Sequence, residues 1–137
     1  MKLRESGMPE EAYWETLLDV PLILDRLGIN RELRDVAELG CGYGTFTLPV
    51  AQRISGVLTT FDIGPVLVER TRQRAAQAGV SNVLYVVTDV FADGFGGEPA
   101  SKDACLLFNI LHCEQPVRLL VEAARVVRPS GFVHVIH

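Results

Sequence analysis

Short apolar runs of four to six residues alternate with longer stretches of helical periodicity along this chain, and that alternation predicts a parallel sheet covered by helices. The pattern predicts helices over Pro9 to Leu18, with an acidic first turn, and over Pro21 to Leu27, with Gly28 at the C-terminal stop. Val36 to Leu39 reads as a brief strand running into Gly40-Cys41-Gly42-Tyr43-Gly44, and Thr45 to Ile54 as a helix that tolerates Pro49 near its first turn. Val57 to Phe61 is a second strand, closing on Asp62. Gly64-Pro65 then opens a helix with Leu67, Thr71, Ala75 and Ala78 on one side and Gly79 at its end. Val83 to Val87 is a third strand, Phe91 to Lys102 a glycine-rich loop, and Ala104 to Asn109 a fourth strand apolar enough to be buried on both faces. Pro116 to Val127 reads as a helix whose buried stripe is Val117, Leu120, Val121, Ala124 and Val127, with Arg118, Glu122 and Arg125 opposite. Pro129-Ser130-Gly131 breaks the chain before a fifth strand, Phe132 to Ile136.

The 137 residues fit one domain, 48% hydrophobic and 22% charged, in the range of ordinary soluble proteins. No apolar run is long enough to span a bilayer, and the chain starts polar, without the look of a secretory leader. A net charge of −4 argues against non-specific binding to nucleic acid. Cys41, Cys105 and Cys113 have no metal-ligand spacing and suggest no disulfide framework, so a cytoplasmic setting is expected and no metal site.

The strongest chemical signal is Glu38-Leu39-Gly40-Cys41-Gly42-Tyr43-Gly44 between a strand and a helix. Glycines there allow a tight reversal and a close approach of ligand to backbone. Asp62 ends the next strand, where a carboxylate in doubly wound folds accepts hydrogen bonds from an adenosine ribose; a helix N-terminal acid is the plainer alternative. Nicotinamide dinucleotides and S-adenosylmethionine share this layout. The dinucleotide fingerprint is G-x-G-x-x-G, however, and this loop reads G-x-G-x-G.

From Val36 to Ile136 the sequence resembles the class I S-adenosylmethionine-dependent methyltransferases, particularly their small-molecule branches. V-A-E-L-G-C-G-Y-G-T is similar to the family's first motif, F-D-I-G to the second, T-D-V-F to the third, F-N-I-L-H to the fourth, and R-V-V-R-P-S-G to the exit before strand five. The resemblance implies a Rossmann-like α/β sheet of order 3-2-1-4-5 with helices on both faces. It also implies a lid over 1–30 and a cofactor domain over 31–137 that lacks the family's usual last two strands. It implies that Gly40, Gly42 and Gly44 cradle the methionine part of S-adenosyl-L-methionine and that Glu38 helps hold its charged end. Asp62 is implied on the ribose, Ile63 against adenine, Asp89 on the adenine amino group and the Val90 amide on a ring nitrogen.

Methyl transfer by in-line displacement then requires positioning rather than an obligatory catalytic residue. His112, after the fourth strand, is the candidate general base, set against a packed or solvated histidine. Asn109 either bonds cofactor or substrate or caps the strand. Tyr13 and Trp14 stack on substrate or pack the terminal helix, and Arg70, Arg72 and Arg74 read as a solvated helix face. The expected partner is a small-molecule methyl acceptor, with a homo-oligomer through the open sheet edge as a further expectation. A regulatory pseudo-enzyme and a dehydrogenase are the alternative functions.

Overall fold

The computed structural model describes residues 10–137. Five strands form one parallel sheet of order β3-β2-β1-β4-β5: β1 (Val36–Leu39), β2 (Leu58–Asp62), β3 (Val83–Val87), β4 (Lys102–Phe108) and β5 (Val127–Ile136). This is the expected order. Because β1 and β4 are neighbours while the chain winds outward from each in opposite directions, the order reverses between them. In open α/β sheets the crevice beyond the strand ends at such a switch point is where ligands bind.

Helices cover both faces. α1 (Glu11–Thr16), α2 (Val20–Arg26), α3 (Thr47–Arg53) and α4 (Pro65–Gln77) lie on one side, α5 (Val90–Asp93) and α6 (Pro116–Val126) on the other. Strand alternation sorts the core in two. Val36, Leu58, Ala104, Leu106 and Phe108 pack under α2 and α3, while Ala37, Leu39, Phe61, Cys105 and Leu107 pack against Val90, Leu119 and Ala123. All residues from Ala104 to Phe108 are buried, as the apolar run of β4 predicts.

Four sequence expectations are corrected. The buried stripe of α6 is Leu119, Ala123 and Val126, whereas Val117 and Val121 are 70% and 65% exposed. Both sides of this helix are apolar, so periodicity alone selects the wrong one. On α4 the buried residues are Val68, Thr71 and Ala75: Val68 takes the place of Leu67 at the start, and Ala78, the C-cap, is exposed. The segment expected to be a loop opens with the single turn α5, capped by the Asp89 carboxylate on the Phe91 amide at 2.9 Å. Four residues are too few to show a helical period. Finally, β5 begins at Val127 and includes Pro129-Ser130-Gly131. These residues bulge because Lys102 pairs with Val127 and Ala104 with Phe132.

α1 and α2 start and stop within two or three residues of expectation, and α2 is capped by Asp19 on the Leu22 amide. Pro9 and the side chain of Trp14 lie outside the described residues. On β5, Phe132 is 61% and Val135 41% exposed. No helix among the described residues is long and apolar enough to cross a membrane.

Candidate cofactor site

The parallel register places the C-terminal ends of β1, β2, β3 and β4 side by side. Each expected site residue lies at or just beyond one of them: Glu38 in β1 and the glycine loop after it, Asp62 closing β2 with Ile63 next, Asp89 and Val90 after β3, Asn109 and His112 after β4. The fold thus brings the whole set to one edge of the sheet, at the switch point.

The glycine loop is built for close packing. Gly40, Gly42 and Gly44 have φ of 82°, 53° and 83°, the left-handed region that side chains adopt only with strain. A Cβ on Gly44 would stand 3.0 Å from both Leu48 Cδ1 and Thr71 Cγ2, so the loop's last glycine also lets α3 and α4 close on it. Gly40 lies against Ile110 from the β4 exit, 3.6 Å from the position of its missing Cβ. The loop is held from three directions. Asp62 Oδ2 accepts from the Gly42 amide at 3.3 Å, Thr71 donates to the Gly42 carbonyl at 2.9 Å, and Arg74 donates to the Tyr43 carbonyl at 2.6 Å.

Glu38 is 2% exposed, so it is not a solvated strand-end acid. Its Oε1 accepts from Thr47 at 2.5 Å and from Thr60, its register partner on β2, at 2.7 Å. Burial raises its pKa to about 7; the two threonine bonds work against that rise, and the charge of Asp62 adds to it. Glu38 therefore joins β1, β2 and α3 directly beneath the loop. Cys41 is buried with its thiol 3.6 Å from Asp62 Oδ2, and burial together with that charge pushes its pKa up, which makes it an inert thiol.

Asp62 accepts at Oδ1 from the Gly64 amide at 2.8 Å. A carboxylate offers about four acceptor sites, so Oδ1 retains room for a further donor. Ile63 is 39% exposed beside it. Val90 is the first residue of α5, where a backbone N–H has no acceptor within its own helix. Asn109 holds φ 55°, a conformation asparagine tolerates, and its amide donates to the Ile136 carbonyl at 2.7 Å. His112 is half-buried on the following turn, its ring 6.5 Å from that of His137.

Sequence reasoning missed four contributors. Thr47, Thr60 and Thr71 bond to the loop or its supporting acid. Thr45, at the loop's end, keeps a buried hydroxyl with no hydrogen-bond partner among the described residues. Thr47, Thr60 and Thr71 carry no local signal, because the partner of each lies elsewhere in the sequence. In the basic cluster Arg70 and Arg72 are exposed, as expected of a solvated face, yet Arg70 and Arg74 pair with Glu11 and Glu15 of α1 and Arg72 stacks over Tyr85 at 4.5 Å.

The residues present fit S-adenosylmethionine. The left-handed glycine turn lets a ligand come up against the backbone, and the spare acceptor capacity of Asp62 suits a hydroxyl donor.

Comparison with known proteins agrees. The aklanonic acid methyltransferase DauC of Streptomyces sp. (strain C5) is 31% identical over 88 residues, covering 52% of this chain and 40% of DauC. The 23S rRNA (uracil(1939)-C(5))-methyltransferase RlmD of Klebsiella pneumoniae is 46% identical over 62 residues, covering 45% of this chain and 14% of that enzyme. The chain thus spans less than half the length of these relatives. A crystal structure of a SAM-dependent methyltransferase from Aquifex aeolicus superposes with a TM-score of 0.77 at 18% identity, over 92% of this chain and 66% of that one. Residues 36–131 match the methyltransferase domain family, and the chain belongs to it, among the class I S-adenosylmethionine-dependent methyltransferases.

Proposed function

We propose that this protein transfers a methyl group from S-adenosylmethionine to a small-molecule acceptor, with the sites at the ends of β1 to β4 in the roles the sequence suggests. The observation that carries the proposal is the left-handed glycine loop tied by Asp62 at the switch point between β1 and β4. When bound, the cofactor supplies a methyl group made electrophilic by its sulfonium. The backbone of Gly40, Gly42 and Gly44 holds its methionine part, with Glu38 shaping the loop from below. Asp62 takes the ribose hydroxyls, Ile63 covers the adenine, and Asp89 with the Val90 amide reads the adenine edge. Asn109 and His112 follow β4; there Asn109 would bond cofactor or substrate, and His112 would receive the acceptor's proton. Of the segment 1–30 expected as a lid, α1 would act so, whereas Val20 and Leu24 of α2 and Ile29 pack into the core of the cofactor domain 31–137.

The acidic balance of the chain and the longer match to a relative whose named acceptor is an organic acid favour a small molecule. A second reading, RNA as acceptor, is favoured by the RlmD matches, which are confined to 13% to 17% of those enzymes. Calorimetric titration should show S-adenosylhomocysteine binding far more tightly than NAD; tighter NAD binding would overturn the cofactor assignment. A screen with labelled S-adenosylmethionine against small organic acids, amines and phenols and against ribosomal RNA should label a small molecule. Label found only in RNA would overturn the acceptor class.

A further inference from the structure

We propose that Arg74 is a positioning residue that couples the seating of α1 to the shape of the glycine loop, so that α1 is an electrostatically fastened gate on cofactor exchange. The proposal rests on the cofactor reading above.

Glu11 and Glu15 are four residues apart on α1, and Arg70 and Arg74 four apart on α4, so each pair lies along one helix face. The two faces meet with opposite charge. Arg70 Nε and Nη2 reach the Glu11 carboxylate at 3.1 and 3.2 Å. Arg74 Nη1 lies 3.3 Å from Glu11, and its Nη2 2.7 Å from Glu15. The same Arg74 Nη1 donates to the Tyr43 carbonyl at 2.6 Å. One guanidinium therefore holds the middle of the glycine loop and both acids of the terminal helix.

A planar guanidinium bonds in a fixed fork. With both carboxylates in place, its plane is set and Nη1 is aimed at Tyr43. If α1 lifts away, the fork is free to turn and its grip on the loop carbonyl loosens. Coupling is reciprocal: whatever holds the loop in its closed shape also favours α1 seated. Thr71, on the neighbouring turn of α4, holds the Gly42 carbonyl independently of α1, so the loop stays folded when the gate opens. The fastening is also reversible. The side chains of Glu15 and Arg70 are 40% and 43% exposed, and ion pairs so exposed to solvent are weak and screened by salt. Tyr13, on the same helix, is 60% exposed and adds no apolar anchor.

The test is the dissociation of labelled S-adenosylmethionine, chased with excess S-adenosylhomocysteine, from the full chain and from Arg74→Gln and Glu11→Gln/Glu15→Gln. The wild-type rate should rise several-fold between about 50 mM and about 500 mM salt, as the ion pairs are screened. Both variants should already be several-fold fast at low salt and respond little to more, with thermal midpoints in the absence of cofactor close to wild type. The glutamate variant leaves the arginine and the loop untouched, so it decides the matter even if Arg74→Gln folds poorly. Wild-type rate and salt response in that variant would overturn the proposal. A wild-type chain that binds neither compound shows no dissociation phase at all, and that failure belongs to the cofactor assignment beneath it.

Discussion

Asp62 Oδ2 stands 3.3 Å from the backbone nitrogen of Gly42, so the acid that closes β2 also holds the loop that follows β1. One side chain thereby shapes the site and, in the proposed function, binds the ribose. Its loss should be felt mainly in affinity.

Asp62→Ala is expected to weaken S-adenosylhomocysteine binding by about 1–3 kcal/mol, the usual cost of losing hydrogen bonds to a charged group. Titration calorimetry reads this directly. Unchanged affinity in a folded variant would sink the ribose role.

Glu38 makes stability depend on pH. Its pKa rises from 4.5 to about 7 on folding, so the native state holds a proton that the unfolded chain releases earlier. Stability is therefore highest at acid pH with respect to this group, falls between about pH 4.5 and 7, and stays lower above. The full effect is of the order of 3 kcal/mol. Glu38→Gln, which cannot ionise, should gain in denaturation midpoint relative to wild type between pH 5 and pH 8. A gap between the two proteins that does not change with pH would refute the buried, partly protonated acid.

Gly44→Ala combines backbone strain at φ 83° with contacts of 3.0 Å to Leu48 and Thr71. A loss of about 2–6 kcal/mol is expected, since a left-handed non-glycine residue and an overpacked methyl each cost about 1–3 kcal/mol. Chemical denaturation checks it, and a variant of wild-type stability would mean that the loop relaxes freely.

Asp103 offers a control at the opposite edge of the sheet. Its Oδ2 accepts from the Arg34 and Asp35 amides at 2.7 and 3.1 Å, and its Oδ1 pairs with Arg128 at 3.0 Å, tying β4 to the entry of β1 and the start of β5. Asp103→Ala should cost about 1–3 kcal/mol of stability and leave cofactor affinity near wild type. A large loss of affinity at unchanged stability would mean that the two edges of the sheet are coupled in a way the contacts do not show.

The sequence by itself determined where the five strands lie, the start of β5 excepted, and its family resemblance implied their order. Strand runs such as Ala104 to Phe108 are legible because a strand buried on both faces must be apolar throughout. The glycine loop and Asp62 are legible because turn chemistry is local: a tight reversal needs glycine, and a strand-end acid sits at a fixed place in the chain. What only the tertiary structure decided are the relations between residues far apart. α6 carries apolar residues on two sides, and its crossover from β4 to β5 decides that Leu119, Ala123 and Val126 face the sheet. Glu38 needs hydroxyl donors, but nothing local says that Thr47 and Thr60 supply them. Arg70 and Arg74 look like any exposed basic turn until α1 lies across them. Periodicity reports what a segment is able to bury, and the packed fold decides what it meets.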